Sequence, residues 1–157
     1  MNRRLLCAFL LISTSACGLS DRRAFQGVER ASKAVQSAID GKATLPRYRE
    51  LLHTYATELS AAGPRVTSAR GRAALSEYQA ALKSLNDLEL VWEAKDTQGR
   101  EMLPLREEPA GRIAREYDLP VNTNEPPSIY ANEAMGAIWQ AALKHLRAAS
   151  LAVGAGL

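Results

Sequence analysis

Carboxylates are the side chains most available for chemistry in this sequence, and their spacing limits what that chemistry could be. Glu107, Glu108, Glu116, Asp118, Glu125 and Glu133 crowd the later part of the chain. Two carboxylates held across a sugar ring are the minimum apparatus for hydrolysing a glycosidic bond. Nothing in the pattern marks one of them as buried, and the adjacent Glu107 and Glu108 before Pro109 suit capping and solubility. Glu89, Glu93 and Asp96 fall at i, i+4 and i+7, on one side of a helix. Hard cations take roughly six or more oxygens, more than one ridge supplies, so the ridge reads as a solvated face paired with Lys95 or Arg100.

The histidines offer less. At 100° per residue His53 lies about 140° from the centre of its own apolar stripe and should face water. His145 falls at the edge of a stripe. Neither has a His, Cys or Asp at zinc-ligand spacing, and no Ser-His-Asp arrangement suggests itself. Arg70-Gly71-Arg72 lacks the strand–loop–helix context of a phosphate loop. The expectation is a protein that is not an enzyme, with no catalytic residue, no metal site and no cofactor.

Cys17 is different, because of what precedes it. The chain opens MNRRLLCAFLLISTSAC: Arg3 and Arg4, an apolar run from Leu5 to Ile12, then small residues up to Cys17. That is the layout of an export signal, and the run is far below the ~20 residues of a spanning helix. Thr14-Ser15-Ala16-Cys17 resembles the lipobox of bacterial lipoproteins, with Thr14 where that family usually has an aliphatic residue. The resemblance covers the signal and lipobox only. It implies cleavage after residue 16, a diacylated Cys17 thiol and an acylated new amine, hence palmitate-type anchoring. Three chains exceed the two signals that stable anchoring needs. Gly18 stands where an Asp would resemble an inner-membrane retention signal, which implies an outer-membrane protein facing the periplasm.

The chain has 157 residues and a formal charge of +3; without residues 1–16, which carry Arg3 and Arg4, 141 residues and +1 remain. Cys7 leaves with the signal and Cys17 carries lipid, so the domain would contain no disulfide and no thiol catalyst. A charge this near zero in a periplasmic compartment argues against nucleic acid as a partner. Residues 17–157 are read as a single helical periplasmic domain.

Apolar periodicity then gives the elements that must carry any site. A first helix spans 20–40, with Phe25, Val28, Val35 and Ile39 on one side, Ser20 as N-cap, Asp21 facing its dipole and Gly41 as C-cap. A second runs from about 45 to 62, with Thr44 and Pro46 at its start and Tyr48, Leu51, Leu52, Tyr55, Leu59 and Ala62 inward; Gly63-Pro64 stops it. A third begins near 64–66 with Ala74, Leu75, Tyr78, Ala81, Leu82, Leu85 and Trp92 inward and Gly71 as an internal weak point. Its end, Leu88 to Gly99, reads as helix, with a strand and hairpin as the competing reading. Residues 100–127 hold five of the seven prolines yet keep apolar anchors, so they read as an ordered excursion with a short helix over 109–117. A last helix runs from about 128 to 152, with Met135, Ile138, Trp139, Ala142 and Leu146 inward. Both tryptophans are assigned to core packing. The fold class is all-α: a small helical bundle of four main helices, with an irregular proline-rich excursion between the third and fourth.

Function follows mainly by subtraction. An anchor and an ordered fold without a catalytic constellation point to a lipid-anchored periplasmic binding or assembly protein whose partner is another envelope macromolecule, most simply a protein. The alternatives are a peptidoglycan-active enzyme using two late carboxylates, and a passive envelope structural protein. The excursion is the place for binding: with Ile113 and Tyr117 turned inward, Arg112, Arg115 and Glu116 should project outward together, with Tyr117 and Tyr130 as flanking aromatics. Arg65, Arg70 and Arg72 crowd a helix start where the dipole disfavours cations, a second surface suited to an anion. Oligomeric state is not legible.

Overall fold

The computed structural model describes residues 15–154, with side chains from residue 21 onward. The signal, Thr14 and the Cys17 side chain therefore lie outside the described residues. The chain is mostly helical, as its periodicity requires. Helix α1 spans Ser15–Asp40, α2 Leu45–Ala62, α3 Ala69–Asp96, α4 Ala110–Glu116 and α5 Ala131–Val153, and a 3₁₀ turn occupies Gly63–Arg65. No helix among the described residues is long and apolar enough to cross a membrane.

Short connections force consecutive helices to run antiparallel. The most extensive packing is between α3 and α5, then α1 with α2. Phe25, Val28, Val35, Tyr48, Tyr55, Tyr78, Leu85 and Ile138 are fully buried between them. Tyr48 Oη donates to the Leu85 carbonyl at 2.8 Å and Tyr55 Oη to the Tyr78 carbonyl at 2.9 Å. Burial raises the pKa of both phenols far above the ordinary tyrosine value, and it pushes Tyr78 up to about 12. The Tyr48 and Tyr55 hydroxyls thus tie α2 to α3, whereas the buried Tyr78 Oη has no partner among the described residues.

Several boundaries differ from the sequence expectation. The third helix continues to Asp96, so the hairpin reading of 88–99 is excluded; it starts at Ala69, after the 3₁₀ turn. Leu82, assigned to the core, is only half-buried. The last helix starts at Ala131 because Ser128–Tyr130 forms strand β2, which pairs antiparallel with β1, Met102–Pro104. Leu103 and Ile129 point inward from this ribbon while Met102 and Tyr130 stay exposed. Pro104 supplies no N–H along β1, which blunts further strand addition there. Gly41 does not take the left-handed position after α1; Lys42 does, at φ 54°.

Asp21 is the main correction. Its carboxylate is 2% exposed and serves another helix, not its own. It accepts from the Thr67 and Ser68 amides at 3.2 and 3.3 Å and from the Ser68 hydroxyl, and Ser68 Oγ in turn accepts from the Gly71 amide at 2.9 Å. The start of α3 is thereby capped from α1. The Ser68 bond holds the Asp21 pKa below the usual carboxylate range despite burial, with help from the two amides and Arg72. Gly71 is no weak point: a Cβ there would lie 2.3 Å from Asp21 Oδ2 and 2.8 Å from Val66 Cγ1.

Candidate functional site

Helix α4 and the residue after it carry most of the residues assigned to binding, and the structure pairs three of them with side chains of α3. Arg112 reaches Asp87 on α3 with both terminal nitrogens, at 2.5 and 3.0 Å, and also bonds Glu116 at 3.0 Å. Tyr117 Oη donates to Asp87 at 2.8 Å, and Lys83 pairs with Glu116 and lies 3.6 Å from Asp87. Arg112, Arg115 and Glu116 therefore do not project together. Arg112, Glu116 and Tyr117 lock the excursion to α3, and Glu116, like Arg115 and Tyr130, stays exposed. The side chain of Asp87 is only 5% exposed. Burial alone would raise its pKa, but Arg112, Tyr117 and Lys83 outweigh that and hold it below the ordinary value. The same bonds raise Arg112, and burial raises Tyr117.

The other candidate groups are also engaged. Glu89 and Glu93 pair with Arg49 of α2, not with Lys95 or Arg100, and Asp96 accepts from the Trp92 indole. Arg100 pairs with Glu107. His145 Nδ1 lies 2.7 Å from Glu77 Oε2, and His53 is exposed. Among the described residues no three His, Cys, Asp or Glu side chains are placed to hold a metal ion.

What the core assignment of the tryptophans missed is an open groove. Where α1 and α3 end and α5 begins, Ile39, Leu88, Trp92, Met135 and Trp139 line a trough of about 490 Å³, together with Lys42, Lys95 and Asp96, whose carboxylate is taken up by the Trp92 indole. Trp92 packs on Tyr48 with ring centroids 5.3 Å apart, so one edge is seated in the core while the rest faces the trough. Both tryptophans and Met135 are half-buried. Neither lysine forms an ion pair with a described residue. An apolar floor with aromatic walls and two ammonium groups suits a ligand with an apolar body and carboxylates at its margin. The signal for it was present in the sequence as two in-phase tryptophans near helix ends, where a stripe can run past its cover.

Ile39 lies eighteen residues along α1 from Asp21, about 27 Å at helical rise. The groove and the Asp21 clamp thus occupy opposite ends of the molecule. No protein-family model matches this chain, and no curated protein or solved structure matches it either.

Proposed function

We propose that this is a lipid-anchored periplasmic binding protein, held by acyl groups on Cys17 in the outer membrane and acting as a non-enzymatic assembly or interaction factor for another envelope protein. The four long helices form a bundle that holds the groove away from the membrane, and the proline-rich excursion braces its side. The observation that supports this best is the groove's position, about 27 Å along α1 from the helical turn that follows Cys17. The described chain ends, Ser15 and Gly154, both lie at the other end, because α5 runs antiparallel to α3. The occupant proposed is a segment of a second protein with apolar side chains and flanking Asp or Glu, matched to Trp92, Trp139 and Met135 below and to Lys42 and Lys95 at the rim. Arg115 and Tyr130 extend the surface available on the excursion. A wall-active enzyme has less support, because Glu107 and Glu116 are already engaged by Arg100 and by Lys83 with Arg112.

Site-specific photo-crosslinking in intact cells tests the reading. A crosslinker at Lys95 should give one defined protein adduct, which is lost on Trp139→Ala while circular dichroism shows that variant still folded at the temperature of the experiment. Adducts to many proteins, or one that survives Trp139→Ala, would place the interface elsewhere. Cys17→Ser should move the protein out of the membrane fraction or leave it as precursor; equal membrane recovery would refute the anchor.

A further inference from the structure

Charge is divided between the two ends of the molecule far more unevenly than its near-zero total suggests. The anchor end comprises residues 15–28 of α1, 56–76 from the end of α2 into α3, and 146–154 of α5. Those segments carry six arginines, Arg22, Arg23, Arg65, Arg70, Arg72 and Arg147, against only Asp21 and Glu58. Their net charge is +4, and residues 29–55 and 77–145, the remainder of the described chain, carry −3. All six arginines are exposed. Five form no ion pair or side-chain hydrogen bond with any described residue, while Arg72 bonds the Thr67 carbonyl. Of the two acids, Asp21 is buried and spent on the α3 start, which leaves Glu58 as the one exposed acid at this end.

We propose that this end docks on the headgroups of anionic phospholipids in the bilayer that holds Cys17. The inference rests on Cys17 being the anchor. Asp21 is four residues, or about 6 Å of helix, beyond Cys17. The Thr67 and Ser68 amides bond that carboxylate, so Arg65, Arg70 and Arg72 are held at the same level. A domain clamped this close to its anchor has no linker on which to swing away. The groove end, about 27 Å along α1, lies beyond the Debye length of about 8 Å, so docking of the arginines at the anchor end sets the long axis away from the membrane. Near an anionic surface each arginine contributes about fivefold to the docked state at physiological salt, so four together contribute several hundredfold. At about 1 M salt the Debye length falls to roughly 3 Å and most of this is lost.

The test uses the full protein purified from membranes, its acylation first established by mass. It is reconstituted in phosphatidylcholine vesicles with or without about 30% phosphatidylglycerol, at about 0.1 M or 1 M salt. A fluorophore is placed by Ser60→Cys, at the anchor end, or by Gln98→Cys, beyond α3, and quenched by spin-labelled headgroups. Docking predicts strong quenching at position 60 with anionic lipid and low salt. That quenching should be lost at high salt and in Arg22→Gln/Arg23→Gln/Arg65→Gln/Arg70→Gln, and kept when the same four are changed to Lys. The probe at 98 should stay unquenched throughout. Quenching at 60 that ignores lipid charge and salt, or quenching at 98, would overturn the proposal. A chain whose mass shows no acyl group on Cys17 would instead refute the anchor. The unacylated chain is then floated with the same vesicles: flotation with phosphatidylglycerol at low salt supports the arginine surface, and its failure to float overturns it.

Discussion

Asp87 is where a single isosteric change tests how the excursion is held. Asp87→Asn removes one charge and turns one oxygen into a donor facing Arg112 or Tyr117, without altering volume. Three bonds converge on that carboxylate, two from Arg112 and one from Tyr117. All three end on an ionised carboxylate, so each is charge-assisted and worth about 1.5–3 kcal/mol in favourable settings. Arg112 and Lys83 keep 36% and 54% of their side-chain exposure, so water screens the pair and the lower values apply. The expected loss is about 2–3 kcal/mol, or roughly 6–10 °C in melting temperature for a domain of this size.

A double-mutant cycle separates this lock from general damage. Arg112→Ala should cost about 2 kcal/mol, because it leaves Asp87 buried with weaker partners, and adding it to Asp87→Asn should cost little more. The coupling energy expected is about 1.5 kcal/mol. Arg115→Ala, exposed and one position from the pairing face, should stay within about 0.5 kcal/mol. The pH profile gives an independent reading. The folded Asp87 pKa lies below its unfolded value near 3.9, so its contribution is fully present above about pH 4–5 and is lost as pH falls through the folded pKa. Acid unfolding should therefore be shallower in Asp87→Asn than in the parent. Additive single changes, or equal acid sensitivity, would show that the excursion is held by apolar packing alone.

Gly71→Ala and Gly136→Ala should have opposite signs although both replace helical glycines, one in the first turn of α3 and one inside α5. At Gly71 the new methyl collides with Asp21, so melting should fall by the equivalent of about 1–3 kcal/mol; at Gly136 nothing lies within 4 Å and melting should rise by about 0.5–1 kcal/mol. Leu85→Ala, fully buried, should cost about 2–5 kcal/mol, half-buried Leu82→Ala clearly less, and exposed His53→Ala almost nothing, as read by denaturant midpoints. Asp21→Asn should flatten stability below about pH 4, since the folded Asp21 pKa also lies below its unfolded value and its contribution vanishes on protonation.

The long helices were legible because their apolar stripes are local properties. Tyr48, Leu52, Tyr55 and Leu59 repeat at helical spacing, and burial follows that phase. The nearly all-round apolar end of α3 was ambiguous because three environments meet there: Leu88 and Val91 are buried, Trp92 is half-buried in the groove, and Leu90 is simply exposed. The polar contacts that position the excursion were not legible. Arg112 finds Asp87 across 25 residues and Asp21 finds Ser68 across 47. Local rules gave Asp21 to its own helix dipole and left Arg112 to solvent, each a sound default overridden by tertiary packing. The β1–β2 ribbon has only three residues a side, too few to alternate visibly, and its partners lie some 26 positions apart.

The groove at one end and the clamp at the other follow from how the helices are held in register. Tyr48 bonds the Leu85 carbonyl, and Tyr55, seven residues further along α2, bonds the Tyr78 carbonyl, seven residues earlier on α3. Seven residues are nearly two helical turns, so both phenols lie on the same face and meet an antiparallel partner at matched heights. Each carbonyl keeps a lone pair for this second bond while serving its own helix. Sliding α3 by one turn would present equivalent carbonyls, so the hydroxyls set the height within a turn, while the interlocked side chains of Tyr48, Tyr55, Tyr78 and Leu85 decide which turn. With α2 and α3 fixed in this way, Ser68 arrives beside Asp21 at one end. At the other, α3 outruns the start of α2 and carries Trp92 to where Tyr48 and α5 cover it only in part. An uncovered pair of tryptophans is thus a consequence of helix lengths set by the Tyr48 and Tyr55 registers, and no local feature of residues 88–96 would have announced it.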